Sequence, residues 1–328
     1  MPSTFLRAEQ VVSAAIGLLL REVTLPGLVW RDAAGDFVGA KNDTISIRLP
    51  AYAPARTRGL RSGAGRTRDE IHERKVDVTL STDVYKDIRV TDPMFSLDIR
   101  DFGSQVIEPV TRGIVLALEQ ELANLITGAT YQNTVVHTAG TTDAFETVVR
   151  AKQYLDNAFV PAAGRVLVVG SQLEAELLTN DKFVRVDASG SDTALREAQI
   201  GRVAGFTVIT SPAIPSNQAY AFHPTAYVMS QRAPLVPAGA PWGASLASEG
   251  FALRAVRVLD SDAIEDILAV DAWVGVNTVR DFGHYDADPA RGGKFVPVVD
   301  PANPITGQTD PWANDAERLV RAVKITVS

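Results

Sequence analysis

The sequence predicts an α+β fold in which strand-rich and helix-rich stretches follow one another along the chain. Three observations carry this. Two alternating strand patterns flank a long excursion rich in glycine and arginine, and a single helical stripe of apolar residues runs from Ile99 to Leu125. After Thr141, short helices and strands alternate over a block of about a hundred residues.

The first forty residues contain an apolar helix over roughly 7–22, followed by an irregular glycine-rich stretch that reads as an arm. Its run VVSAAIGLLL spans ten residues, half of what a bilayer-crossing helix needs, and lacks a cleavage site of the secretory kind before Arg21 and Glu22. An amphipathic packed helix is the better reading, with no membrane partner.

Next, TISIRLPAY alternates Ile45, Ile47 and Leu49 with polar residues, and ERKVDVTLSTDVYKDIRV does the same with Val76, Val78 and Leu80. Each is predicted as a strand with one apolar face. Between them lies GLRSGAGRTR, residues 59–68, which superficially resembles a phosphate-binding loop. The P-loop pattern needs a lysine after its last glycine and a helix directly behind it. Here Arg66 follows Gly65, Leu60 stands where the first glycine belongs, and a strand follows. The segment is therefore the tip of a long two-stranded excursion.

Beyond it, Ile99, Phe102, Val106, Val110, Ile114, Leu118, Leu122 and Leu125 recur every three or four residues. They predict a spine helix of about thirty residues, roughly 45 Å long. Pro109 should kink it or mark a join. In the mixed block, DAFETVVRAKQYLDNAF reads as helix and GRVLVVG as a buried strand. SQLEAELLTND reads as a helix with Ser171 as N-cap and Glu174 completing a capping box. GRVAGFTVIT and QAYAFHPTAYVMS are further strands, and FALRAVRVLDSDAIEDILAVDAWVGVNTV is an antiparallel pair turning near Asp260, Ser261 and Asp262. A proline- and aspartate-rich surface loop then leads to a closing strand, VRAVKITVS.

Composition bounds the function. The 328 residues are 46% apolar and 22% charged, ordinary for a globular chain with one large or two modest cores. A net charge of −7 argues against a task built on neutralising phosphates. The charge is uneven: residues 54–75 hold seven cations and three anions, a local +4, which leaves −11 for the rest. Residues 260–317 hold twelve carboxylates against Arg280, Arg291 and Lys294. Opposite surfaces on one chain suggest self-complementarity as readily as a foreign ligand.

The residues for chemistry are missing. With no cysteine, disulfides, thiolate metal sites and cysteine nucleophiles are excluded. His72, His137, His223 and His284 show no two-ligand spacing, and VGSQL lacks the second glycine of a nucleophile elbow. Asp260, Asp262, Glu265 and Asp266 lack the glycine-containing loop of a calcium site and read as a solvated turn. Asp187 with Asp192, and Glu119 with Glu121, give no sign of a cleft that would perturb them. Aromatics are not interleaved with the arginines as base stacking would need. The reading is a protein that is not an enzyme and needs no cofactor.

The order arm, long excursion with basic tip, spine helix, mixed unit and returning strands resembles the major capsid proteins of tailed bacteriophages. The wording NDTISIRLPAY, ERKVDVTLSTDVYKDIRVTD, TALREAQIGRVAGFTVITS and AYAFHPTAYVMSQRAP is similar to the actinophage-type branch, over roughly residues 1–282. The resemblance implies a Hong Kong 97-like fold: an N-terminal arm (1–40), an extended loop (41–90), a peripheral domain with the spine helix (91–140), an axial α/β domain (141–250) and returning peripheral strands (251–282). Residues 283–328 form a C-terminal extension and closing strand that fit the pattern less well.

By that likeness the chain self-assembles into hexamers and pentamers of an icosahedral head around double-stranded DNA held without sequence specificity. Scaffold and portal proteins are further implied partners, with assembly in the host cytoplasm and residence in the virion. The loop tip would lie over a neighbouring subunit, with Arg56, Arg58, Arg61, Arg66 and Arg68 as inter-subunit contacts. Some family members crosslink a loop lysine to a neighbour. No lysine stands between Lys41 and Lys75, so that property does not carry over. The alternatives are an encapsulin-type compartment, a nucleotide-dependent enzyme, which would bind nucleotide saturably, and a DNA-binding protein, whose affinity would fall steeply with salt.

Overall fold

The computed structural model describes residues 8–31, 43–49, 58–61, 63, 74–90, 103–180, 201–260, 265–285, 293–297 and 316–328. Helix α1 (Ala8–Glu22) buries Val11, Val12, Ala15, Ile16 and Leu19, a stripe that recurs every three or four residues. A 3₁₀ turn, Leu25–Leu28, follows it with Pro26 in its first positions, where a missing N–H costs nothing.

Strands β1 (Thr44–Leu49) and β2 (Arg74–Thr79) pair antiparallel from Thr44↔Thr79 to Leu49↔Arg74. Their alternation puts Ile45, Ile47, Leu49, Val76 and Val78 into one small core. The sequence pattern predicts a single strand through ERKVDVTLSTDVYKDIRV. It is two, because Leu80 N–H bonds to Asp43 O while Ser81 N–H bonds to Val274 O, sending the chain into another sheet. That second half is β3 (Thr82–Val90).

The described part of the spine runs from Gly103 to Gly128. A π-helical turn, Gly103–Ile107, leads into α2 (Glu108–Gly128), a 21-residue helix about 32 Å long. Pro109 lies at the start of α2, so it marks a join and not an interior kink. Ile99 and Phe102 lie outside the described residues.

In the mixed block come β4 (Thr134–His137), α3 (Ala144–Asn157), β5 (Val166–Val169), α4 (Ser171–Thr179), β6 (Arg202–Val203), β7 (Phe206–Thr210) and β8 (Gln218–Phe222). Asp143 caps α3 by accepting the Phe145 N–H at 2.9 Å. Ser171 does not cap α4. Gly170 is the N-cap, and Glu174 accepts from the Thr210 hydroxyl instead. Glycine is needed because a Cβ at 170 would lie 2.4 Å from Pro215 O.

One predicted strand, QAYAFHPTAYVMS, breaks at His223. Pro224 opens a short 3₁₀ turn there, and the chain passes from β8 to β9 (Tyr227–Arg232) in a different sheet. Then β10 (Trp242–Ser248), β11 (Phe251–Asp260) and β12 (Glu265–Thr278) form an antiparallel meander, with residues 261–264 of the expected turn outside the described set. The rest comprises β13 (Asp281–Tyr285), β14 (Phe295–Pro297), β15 (Ala316–Arg318) and β16 (Ala322–Val327). Most of the predicted surface loop, 286–292 and 298–315, lies outside the described residues.

Two main sheets result. In the five-stranded sheet β10-β11-β12-β3, with β9 on the far end of β12, one face packs on α1 and α2 and buries Val84, Leu253, Leu268 and Val270 among their apolar stripes. The six-stranded sheet runs β4-β16-β8-β5-β7-β6, with α3 and α4 burying Val148, Leu155, Leu173 and Leu177 against Val323 and Ile325. Strand β16 thus lies between β4, parallel to it, and β8, antiparallel. A three-stranded sheet, β14-β13-β15, completes the architecture.

Candidate assembly surfaces

Of the five loop-tip arginines, Arg58 and Arg61 are described and both are exposed; Arg56, Arg66 and Arg68 lie outside the described residues. Between the first two stands Leu60, 99% exposed. An apolar side chain this exposed adds nothing to the packing of its own chain.

The base of that excursion is firmly held. Asn277 donates its side-chain N–H to Asp77 O at 2.7 Å, and Gly275 lets the backbone at Thr79 approach so closely that a Cβ would sit 2.4 Å from Thr79 O. The arm is held as well. Glu119, buried on α2, accepts the backbone N–H of Thr24 and that of Leu25 at 3.0 Å. Burial raises its carboxyl above the ordinary value, against the lowering effect of those two bonds. The sequence pairs Glu119 with Glu121 as bystanders; a contact partner 94 residues away leaves no local signal.

His137 Nδ1 lies 2.8 Å from Thr147 Oγ1 and Nε2 bonds to Glu176, a hydroxyl–imidazole–carboxylate row of the residue types used in nucleophilic catalysis. Both His137 and Thr147 are 0% exposed, so no substrate reaches the hydroxyl. The row staples β4 to α3 and α4. His223 Nδ1 faces Thr225 Oγ1 at 2.9 Å, and burial followed by the Arg321 charge lowers its pKa, keeping it neutral. His72 lies outside the described residues, as do Asp187 and Asp192.

The acidic turn is tied by arginines: Asp266 pairs with Arg257, and Glu265 with Arg89 at 2.9 Å. Asp262 lies outside the described residues, and among those described no group of three potential ligands could hold a metal ion. Nor is any described helix long and apolar enough to cross a membrane. A hollow of about 490 Å³ lies between Trp30, Thr225 and Glu249, where Arg31 stacks 4.6 Å above Phe251. No nucleophile and base converge there.

Residues 75–287 match the family model described as phage capsid protein. The fold is similar to that of solved phage structures. A structure from Mycobacterium phage Che8 is 18% identical, with a TM-score of 0.60 over 93% of this chain and 91% of that one. The capsid structure of the cyanophage P-SCSP1u is 10% identical, with a TM-score of 0.56 over 88% and 84%. The mature capsid of bacteriophage PhiM1 is 12% identical, with a TM-score of 0.53 over 87% and 82%. No curated protein matches the chain.

Proposed function

The chain belongs to the phage capsid protein family, and from that premise we propose that its basic loop tip is the element that locks neighbouring copies into the hexamers and pentamers of an icosahedral head. It is a structural major capsid protein with the Hong Kong 97-like fold, not an enzyme; it assembles with copies of itself, and its place is the virion capsid. The observation that carries the proposed role of the tip is Leu60, 99% exposed between the exposed Arg58 and Arg61, in a segment of charge opposite to the rest of the chain. Arginine forks offer two-bond pairing to carboxylates of a neighbour.

Double-stranded DNA is the proposed content, held without sequence specificity, because a chain of net charge −7 encloses a polyanion without adhering to it. Scaffold and portal proteins are the proposed assembly partners, and the host cytoplasm the proposed place of assembly. An encapsulin-type compartment is less favoured, since the matching family model is that of phage capsids. Replacing Arg56, Arg58, Arg61, Arg66 and Arg68 together by serine tests the tip. The expected result is a folded protein, by circular dichroism, that gives few or no closed shells in negative-stain micrographs and elutes as small oligomers. Shells of normal size and yield would overturn the contact role.

A further inference from the structure

In the six-stranded sheet β4 pairs with β16 alone, so its other edge is open among the described residues. Lys324 N–H bonds to Asn133 O and Ser328 N–H to His137 O, which turns the backbone groups of residues 133, 135 and 137 towards β16. The N–H and C=O groups of Thr134 and Val136 therefore point to the open side, and no described residue bonds to them. Sheet edges are normally guarded by charge or by brevity. Strand β3, at the end of the five-stranded sheet, carries Asp83, Lys86, Asp87 and Arg89, and β6 is two residues long. Strand β4 reads Thr-Val-Val-His, with His137 buried, and has no charged guard.

A groove of about 500 Å³ runs along that edge, between Thr134, Val135 and Val136 on one side and Arg150, Gln153 and Tyr154 of α3 on the other. Val136 is 62% and Tyr154 37% exposed, apolar surface that the chain itself leaves in water. Cations stand on both faces of the edge. Arg150, the one charged residue lining the groove, holds Glu146 in an exposed i,i+4 pair, which is weak and readily exchanged. Lys324 lies directly opposite Thr134 and so shares the face of Thr134 and Val136; it forms no ion pair among the described residues. In a chain of net charge −7 this edge is basic.

We propose that this groove binds an extended acidic segment of a different protein, added to the sheet as a strand beside β4. Backbone bonds to Thr134 and Val136 supply the anchoring, and alternate side chains read the two faces. On the α3 face an apolar residue covers Tyr154 and a carboxylate reaches Arg150; on the other face the corresponding pair meets Val136 and Lys324. Charge argues against a second copy as the occupant. Among the described strands with an open edge, none carries a carboxylate without also carrying a cation: β3 brings Lys86 and Arg89, β6 brings Arg202, and β10 has no carboxylate. The inference is independent of the role of the loop tip.

The test uses the full-length chain and a fluorescein-labelled octapeptide, Glu-Glu-Val-Val-Glu-Glu-Val-Val, which places an acid and a valine alternately on each face of a strand. Binding is followed by fluorescence anisotropy. The expected result is saturable binding that weakens about tenfold or more in Arg150→Glu, as loss of a charge-assisted bond requires, and again in Val136→Pro, which removes an edge N–H without touching the ladder to β16. Circular dichroism checks that both variants fold, and Arg150, on the exposed face of α3, is the safer of the two. The same peptide with its four valines N-methylated keeps charge and apolar content but loses edge donors, and should not bind. Absence of saturable binding to the unsubstituted chain, or binding indifferent to Arg150→Glu and to N-methylation, would overturn the proposal. A fall in the oligomeric state of the unsubstituted chain when excess peptide is added would assign the groove to a second copy and overturn the choice of partner.

Discussion

Glu119 on the spine helix accepts the backbone N–H of Leu25 at 3.0 Å, across 94 positions of sequence. It satisfies donors at the start of a 3₁₀ turn that α1 leaves behind, and it does so from a buried site. Helix ends leave such donors orphaned unless something accepts them.

Glu119→Ala should therefore cost about 1–3 kcal/mol, the penalty for stranding buried donors, and lower the thermal midpoint of the unassembled protein. Glu119→Gln keeps an acceptor oxygen and should cost less. The pH dependence has a definite sign. Because the folded carboxyl titrates above its ordinary value, the folded state holds the proton more tightly. This group's contribution is greatest at low pH and declines as pH rises through the interval between the ordinary and raised values. The wild type should gain on Glu119→Gln as pH falls through that interval, measured by denaturant titration.

Gly275→Ala places a methyl group where Thr79 O now lies at 2.4 Å from the ideal Cβ, and a backbone oxygen cannot swing aside as a flexible side chain can. The expected cost is about 1–3 kcal/mol of overpacking. Proteolysis should show faster cutting near the base of the loop, because β2 must lift from the sheet.

Arg321 donates to both carboxylate oxygens of Asp281 at 2.7 Å, with Thr225 Oγ1 taking a third N–H at 3.1 Å. Its side chain is 22% exposed and that of Asp281 18%, so screening is incomplete. Arg321→Lys keeps the charge but loses the fork, and should destabilise by about 1–2 kcal/mol in thermal melts. A melt unchanged from wild type would show the pair to be energetically idle.

Removal of residues 322–328 takes β16 from between β4 and β8. Val323 and Ile325, both fully buried, leave the core with it. The truncated chain should be insoluble or aggregate on release from the ribosome, checked by soluble yield, whereas a surface appendage of that length would be dispensable.

The sequence by itself determined the elements whose pattern is local. Ile45, Ile47 and Leu49 alternate because one strand face is wet, and Val110, Ile114, Leu118 and Leu122 step by four because one helix stripe is buried. The basic tip was legible too, since charge needs no fold to be counted, whereas the exposure of Leu60 within it was not. Only the tertiary structure decided where the strands pair. VRAVKITVS reads as a strand from its residues, but nothing local says that it lies between β4 and β8. Likewise, the alternation through Val76, Val78 and Leu80 cannot tell one strand from two entering different sheets. Periodicity reports burial of a face, whereas pairing and buried contacts such as Glu119 to Leu25 are set by groups far apart in sequence. The open edge at Thr134 and Val136 faces away from β16, which lies some 190 positions further along the chain. It exists only once β4 and β16 lie side by side.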